Sequence, residues 1–177
     1  LKALDKLDAV VYRALSIKYY KAAFSAKGAR LNAGRFNRPG ISALYVALEP
    51  DTAIMEYYQS DPPRPCVLVP AYMEVKALVD IRGKLGRWRQ DWRAWESDWR
   101  AARDAHIGGD LKADCESWRC GDDAINRNFS GIIFPSRRRP GGANVALFVE
   151  DAPAGGLHLR VMDPLNEILA AHPTKIA

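Results

Sequence analysis

The sequence predicts a single α+β domain, and three observations carry that expectation. Short runs of β-forming apolar residues recur along the chain, fewer helical segments lie between them, and 177 residues suit one hydrophobic core. The domain is expected to span residues 1–177. A hydrophobic fraction of 48% with 27% charged residues is ordinary for a globular protein. No apolar run approaches a membrane span, so no membrane partner is expected. No basic segment followed by an apolar one marks a secretory leader.

Three cysteines, Cys66, Cys115 and Cys120, make an odd count that argues against a disulfide framework and fits a reducing, cytoplasmic location. The segment CESWRC, with His106 upstream, departs from zinc-site spacing and lacks an evident fourth ligand, so no metal is expected. The net charge of +5 points to an anionic ligand or partner. Its basic residues gather at 27–38, 82–103 and 137–139.

Residues 9–15 (AVVYRAL) read as a buried first strand in which Arg13 is the anomaly. A buried charge is costly unless paired, so Arg13 either reaches solvent or meets an anion. Residues 19–24 suggest a short helical or irregular piece. The stretch 25–40 reads as a long basic loop, and loops of that length are often functional. Its glycines permit close backbone approach to a ligand, and its arginines offer planar forks for phosphate oxygens.

Residues 41–47 form the next predicted strand, and Pro50 with Asp51 marks a helix start. That helix runs to about Gln59 with Pro50, Ala53, Ile54 and Tyr57 on its packed face. Glu56 stands beside this face among Met55, Tyr57 and Tyr58. A half-buried carboxylate there needs a partner such as an arginine.

Further on, 66–75 reads as a strand in which Pro70 signals an edge or a bulge. Residues 78–81 look like a strand end. Trp88, Trp92, Trp95 and Trp99 recur at steps of four, three and four, which predicts one helical stripe. Arginines interleave with it, and aromatic–arginine arrays suit either nucleic acid or a protein surface, although a stripe of this spacing usually packs. A polar segment over 110–128 is helical around 122–128, with Trp118 as its anchor. Strands follow at 131–134, 144–149 and 157–162, and a short helix at 164–171. Ser136 sits where the strand at 131–134 ends, and Asn144 opens the next.

Arg13, the motif GRFNRPG (34–40), Tyr45, Glu56, and FPSRRRPGGANVALF with Ser136 and Asn144 together resemble the RES-domain family, the toxins of RES–Xre toxin–antitoxin pairs. The resemblance covers most of the chain. Phe36 stands where members usually carry tryptophan, an aromatic exchange that keeps the packing.

The resemblance implies an ADP-ribosyltransferase-like mixed sheet, NAD as a consumed substrate, and an Xre-type antitoxin as protein partner. It implies cleavage of the nicotinamide–ribose bond, with ADP-ribose passed to a protein, phosphate or water. Glu56, Arg35, Tyr45 and Ser136 are then the candidate catalytic residues. Arg13, Arg35, Asn37, Tyr45, Ser136 and Asn144 are the candidate NAD-binding residues. A carboxylate beside the ribose would stabilise the oxocarbenium-like transition state. The competing reading is a non-catalytic nucleic-acid or protein-binding module built on the arginine–tryptophan segment.

Overall fold

The computed structural model describes residues 2–59, 63–83 and 95–166. In chain order the elements are β1 (Lys2–Leu15), a 3-10 turn (Ile17–Ala22), α1 (Lys27–Asn32), β2 (Ala43–Ala47), α2 (Pro50–Tyr58) and β3 (Val67–Asp80). They continue with α3 (Trp99–Ile107), α4 (Glu116–Asn126), β4 (Gly131–Pro135), β5 (Ala143–Phe148) and β6 (Leu157–Val161). This is an α+β arrangement: one mixed six-stranded sheet with helices on its flanks.

The strand order is β1-β2-β5-β4-β3-β6, and a further β1–β3 pairing closes the first five strands into a ring. β3 pairs in parallel with β4 and antiparallel with β1 and β6. β4 reads as a continuous apolar run, and β5 as one broken only by Asn144, because both faces of each are covered. Ile133, Val145 and Leu147 point into one core with Val11, Val69 and Met73. Ile132, Phe134, Ala146 and Phe148 point into the other, under Phe36, Trp95 and Ala124 of α4. The period-two alternation of strand side chains thus splits one short sequence between two cores.

Several elements differ from the sequence expectation. β1 starts at Lys2, not residue 9, because the modest alternation KALDKLD still aligns Leu4 with Leu78 and Leu7 with Val75. β3 continues through residues 78–80, and Pro70 lies inside it, opposite Tyr12. Its carbonyl accepts from Met162 just past the last residue of β6, so the missing proline N–H falls where that pairing ends. The stretch 25–40 is not all loop, since the helix formers around Lys27 and Arg30 build α1 within it.

The tryptophan stripe is not one helix. Trp95 lies in a turn, buried and stacked on Phe36, and α3 begins only at Trp99, where the Asp98 side chain accepts from the Arg100 N–H. Trp88 and Trp92, and the rest of the helix expected at 164–171, lie outside the described residues. α4 starts at Glu116, six residues before the expected 122, and buries Ser117, Trp118, Cys120, Gly121 and Ala124 at helical spacing.

Candidate active site

The position of Glu56 is set at the far end of its helix. Pro50 occupies the first turn of α2, and the side chain of the preceding Glu49 caps no backbone N–H of that helix. Its Oε2 accepts from the buried Thr52 hydroxyl (2.8 Å) and from the Ala143 N–H at the start of β5 (3.0 Å). Gly142 makes this docking possible, because a Cβ there would lie 2.3 Å from Thr52 Oγ1. α2 is thereby fastened to the strand that carries Asn144.

Two turns along α2, Glu56 meets its partners. Ser136 Oγ donates to Glu56 Oε1 at 2.7 Å, and Asn144 Nδ2 donates to the same oxygen at 2.8 Å. The expected arginine partner is replaced by two neutral donors. Oε2 has no hydrogen-bond partner among the described residues. Ser136 Oγ also accepts from the N–H groups of Arg138 (3.1 Å) and Arg139 (3.0 Å), which fixes the basic turn after β4. Orientation without charge neutralisation is the chemical content of this arrangement.

The GRFN segment is a tight turn closed by Gly34 N–H on the Asn37 carbonyl (3.0 Å). Buried Asn37 donates to the carbonyls of Ala29 (2.9 Å) and Ile41 (3.0 Å). The Tyr45 hydroxyl accepts from Phe36 N–H (2.9 Å) and donates to Asn37 Oδ1 (2.9 Å). Burial raises the Tyr45 phenol above its ordinary range. α4 closes the turn from behind: Trp118 Nε1 donates to the Gly34 carbonyl at 2.8 Å, and Arg38 forks onto Asp122. Gly121 packs so tightly that a Cβ would lie 1.8 Å from the Phe36 carbonyl oxygen.

Arg35 projects from this clamped turn, its guanidinium 5.6 Å from the Trp95 ring centre and donating to the Trp95 carbonyl (3.3 Å). Burial, then the like charges of Arg137 and Arg100, lower it from its usual value. Arg13 is half-buried along the cleft and pairs with no acid among the described residues. Its Nη1 donates to the carbonyls of Ala23 (2.7 Å) and Ser25 (3.1 Å), and burial lowers the guanidinium to about 10, so it remains charged at neutral pH.

A cavity of about 410 Å³ is lined by Arg13, Arg35, Tyr45, Glu56 and Asn144 among others. A second space of about 430 Å³ adjoins it, sharing Arg35, Glu56, Trp99, Arg100 and Phe134. Five of the residues singled out in the sequence therefore face one cleft, and Ser136 touches it through Glu56. Asn37 does not line it: its amide is consumed in building the turn. Tyr45 offers the cleft its ring, while its hydroxyl belongs to the turn. Sequence reasoning missed Thr52, and it missed Glu49, Gly121 and Asp122, which meet Ala143, Phe36 and Arg38 from remote parts of the chain. It also missed Arg100 as a lining residue.

The RES domain family model matches residues 10–168, nine-tenths of the chain and every element that lines the cleft. The chain belongs to the RES domain family. The fold is also similar to that of a solved structure. One similar chain comes from the crystal structure of the M. tuberculosis MbcT–MbcA toxin–antitoxin complex, with TM-score 0.58 and 20% identity over 89% of this chain and 84% of that one. No curated protein matches. The arginine of GRFN, the glutamate of α2 and the serine after β4 converge on one cleft although 101 residues separate Arg35 from Ser136.

Proposed function

We propose that this RES domain is the toxin of a toxin–antitoxin pair and acts by cleaving the bond between nicotinamide and ribose in NAD. The observation that carries the reading is the Glu56 carboxylate, held through one oxygen by Ser136 and Asn144 in a cleft otherwise rich in guanidinium groups. When the glycosidic bond breaks, its electron pair passes to the pyridine nitrogen and nicotinamide leaves neutral. No acid is needed for departure. The ribose carbon becomes electron-poor, and a fixed carboxylate stabilises that charge at no cost in reorganisation. Arg35, backed by Trp95, suits the diphosphate. ADP-ribose then passes to phosphate, water or a protein side chain, with loss of that acceptor's proton.

The neighbouring complex pairs its toxin with an antitoxin, and an antitoxin, of Xre type in our reading, is the proposed partner here. Nicotinamide release from NAD by the purified protein tests the activity, with Glu56→Ala alongside and phosphate present or absent. Release by the native chain alone supports the reading, and phosphate dependence identifies phosphorolysis. Absence of release from both proteins, even with cell extract supplying acceptors, overturns it. The alternative binding module is weakened by Trp95, which is buried against Phe36 and Phe134 and offers no face to a base.

A further inference from the structure

The arginines of this protein divide into two populations. Away from the cleft, every arginine among the described residues except Arg160 meets a carboxylate at ion-pair distance, as Arg30 meets Glu150, Arg38 meets Asp122 and Arg119 meets Asp114. Along the cleft the rule largely reverses, Arg137 with Glu96 being the exception. Arg35, Arg100 and Arg138 all line the second space, and none has a carboxylate partner among the described residues. Arg35 leans on the Trp95 carbonyl, and Arg100 donates to the Gln59 amide oxygen at 3.4 Å.

None of the acids lining that space is at ion-pair distance from Arg35, Arg100 or Arg138. Asp98 caps α3, Glu56 is held by Ser136 and Asn144, and Glu96 lies 3.6 Å from Arg137, a pair half-exposed on both sides. Like charges gathered around a concave surface repel one another unless an anion sits between them. Burial lowers Arg35 most, and the like charges of Arg137 and Arg100 add to that lowering while Glu56 opposes it.

We propose that Arg100 and Arg138, with Arg35, form a phosphate-binding subsite in the space beside Glu56, on the side of the Arg137–Arg138 turn. Three guanidinium groups suit a dianionic or more highly charged phosphate. Arg138 is placed there by Ser136, whose hydroxyl accepts from the Arg138 N–H. One side chain therefore orients the carboxylate and the anion subsite together. The phosphate is either the diphosphate of the dinucleotide or a free phosphate, and both reach the subsite by the same chemistry. The identification of its natural ligand rests on the NAD-cleaving reading; the subsite itself does not.

The test uses the double variant Arg100→Gln, Arg138→Gln, with Arg119→Gln as a control whose paired arginine lies on the outer face of α4. Binding of inorganic phosphate and of inorganic diphosphate is measured directly by calorimetry, and nicotinamide release is followed across NAD and phosphate concentrations. Native protein and Arg119→Gln bind a probe, and the double variant binds it at least tenfold more weakly, as expected for loss of two charge-assisted contacts. If the diphosphate of NAD occupies the subsite, KM for NAD rises while the response to phosphate is kept. If free phosphate occupies it, KM for NAD holds and the response to phosphate disappears. Probe binding lost in the variant without nicotinamide release from any protein leaves the subsite standing and removes the NAD reading. Equal probe binding by native and double variant, or no binding by the native chain, overturns the subsite even where NAD is cleaved.

Discussion

Ser136→Ala and Asn144→Ala test the heart of the site. Each removes one donor from Glu56 Oε1, at 2.7 and 2.8 Å respectively, and leaves the carboxylate oriented by the other alone. A hydrogen bond to a charged group contributes about 1.5–3 kcal/mol, and each ~1.4 kcal/mol is tenfold in rate, so kcat for nicotinamide release falls by roughly 10- to 100-fold per variant. KM should separate the two. Ser136→Ala also frees the Arg138 and Arg139 N–H groups and loosens the basic turn, so KM rises; Asn144→Ala acts on kcat alone. Because both donors act on one oxygen, the double variant should lose less than the product of the single losses. Steady-state kinetics with melting curves on the same samples read all of this. Fully multiplicative losses, or kcat unchanged in Asn144→Ala, would refute a shared orienting role.

Three further outcomes follow from the packing. Gly121→Ala places a Cβ 1.8 Å from the Phe36 carbonyl oxygen and forces α4 off the GRFN turn; overpacking costs about 1–3 kcal/mol or more, read as a lower denaturation midpoint together with lost activity. Tyr45→Phe strips a partner from Phe36 N–H and Asn37 Oδ1 and should destabilise by about 1–3 kcal/mol, whereas a Tyr45 hydroxyl acting on substrate would instead lower the rate at unchanged stability. Burial pushes the Cys120 thiol up from 9.0 to about 12. The unfolded chain therefore ionises first as pH rises, this thiol's contribution to stability falls between about pH 9 and 12, and at pH 8.5 iodoacetamide should label Cys66 and Cys115 but reach Cys120 only after unfolding.

Much of this was legible in the residues because local signals and burial agree. β4 is an uninterrupted apolar run, β5 is one broken only by Asn144, and α2 opens on a proline, so their bounds fall within a residue or two of the expectation. β1 was truncated because seven of its residues alternate charge with small or apolar side chains, and only the pairing partner β3 reveals which face is buried. The tryptophan spacing misled for a related reason. A periodic pattern predicts a helix only if no stronger local signal breaks it, and the Asp98 cap restarts the chain at Trp99. Within the site, the residue types were readable but not their partners. Glu56 was expected to need an arginine; the fold supplies Ser136 and Asn144, 80 and 88 residues away.

That substitution of partners explains how one cleft handles opposite charges. In the proposed reaction, an arginine bound to Glu56 would neutralise the carboxylate that the electron-poor ribose requires, and would itself be withdrawn from phosphate. With neutral donors on Glu56 and a carbonyl beneath Arg35, negative and positive charge remain separately available on adjoining walls. NAD has the complementary pattern, cationic at the pyridinium and anionic at the diphosphate. NADH keeps the diphosphate but carries an uncharged dihydropyridine, which is a poor leaving group because its departure would leave an anionic nitrogen. It should therefore compete with NAD for the arginine wall, raising the apparent KM without changing kcat, and release no nicotinamide product of its own. Inhibition assays with both nucleotides decide the matter: failure of NADH to compete would show that the arginines do not carry dinucleotide binding, and turnover of NADH would show that the leaving-group charge is not what the carboxylate serves.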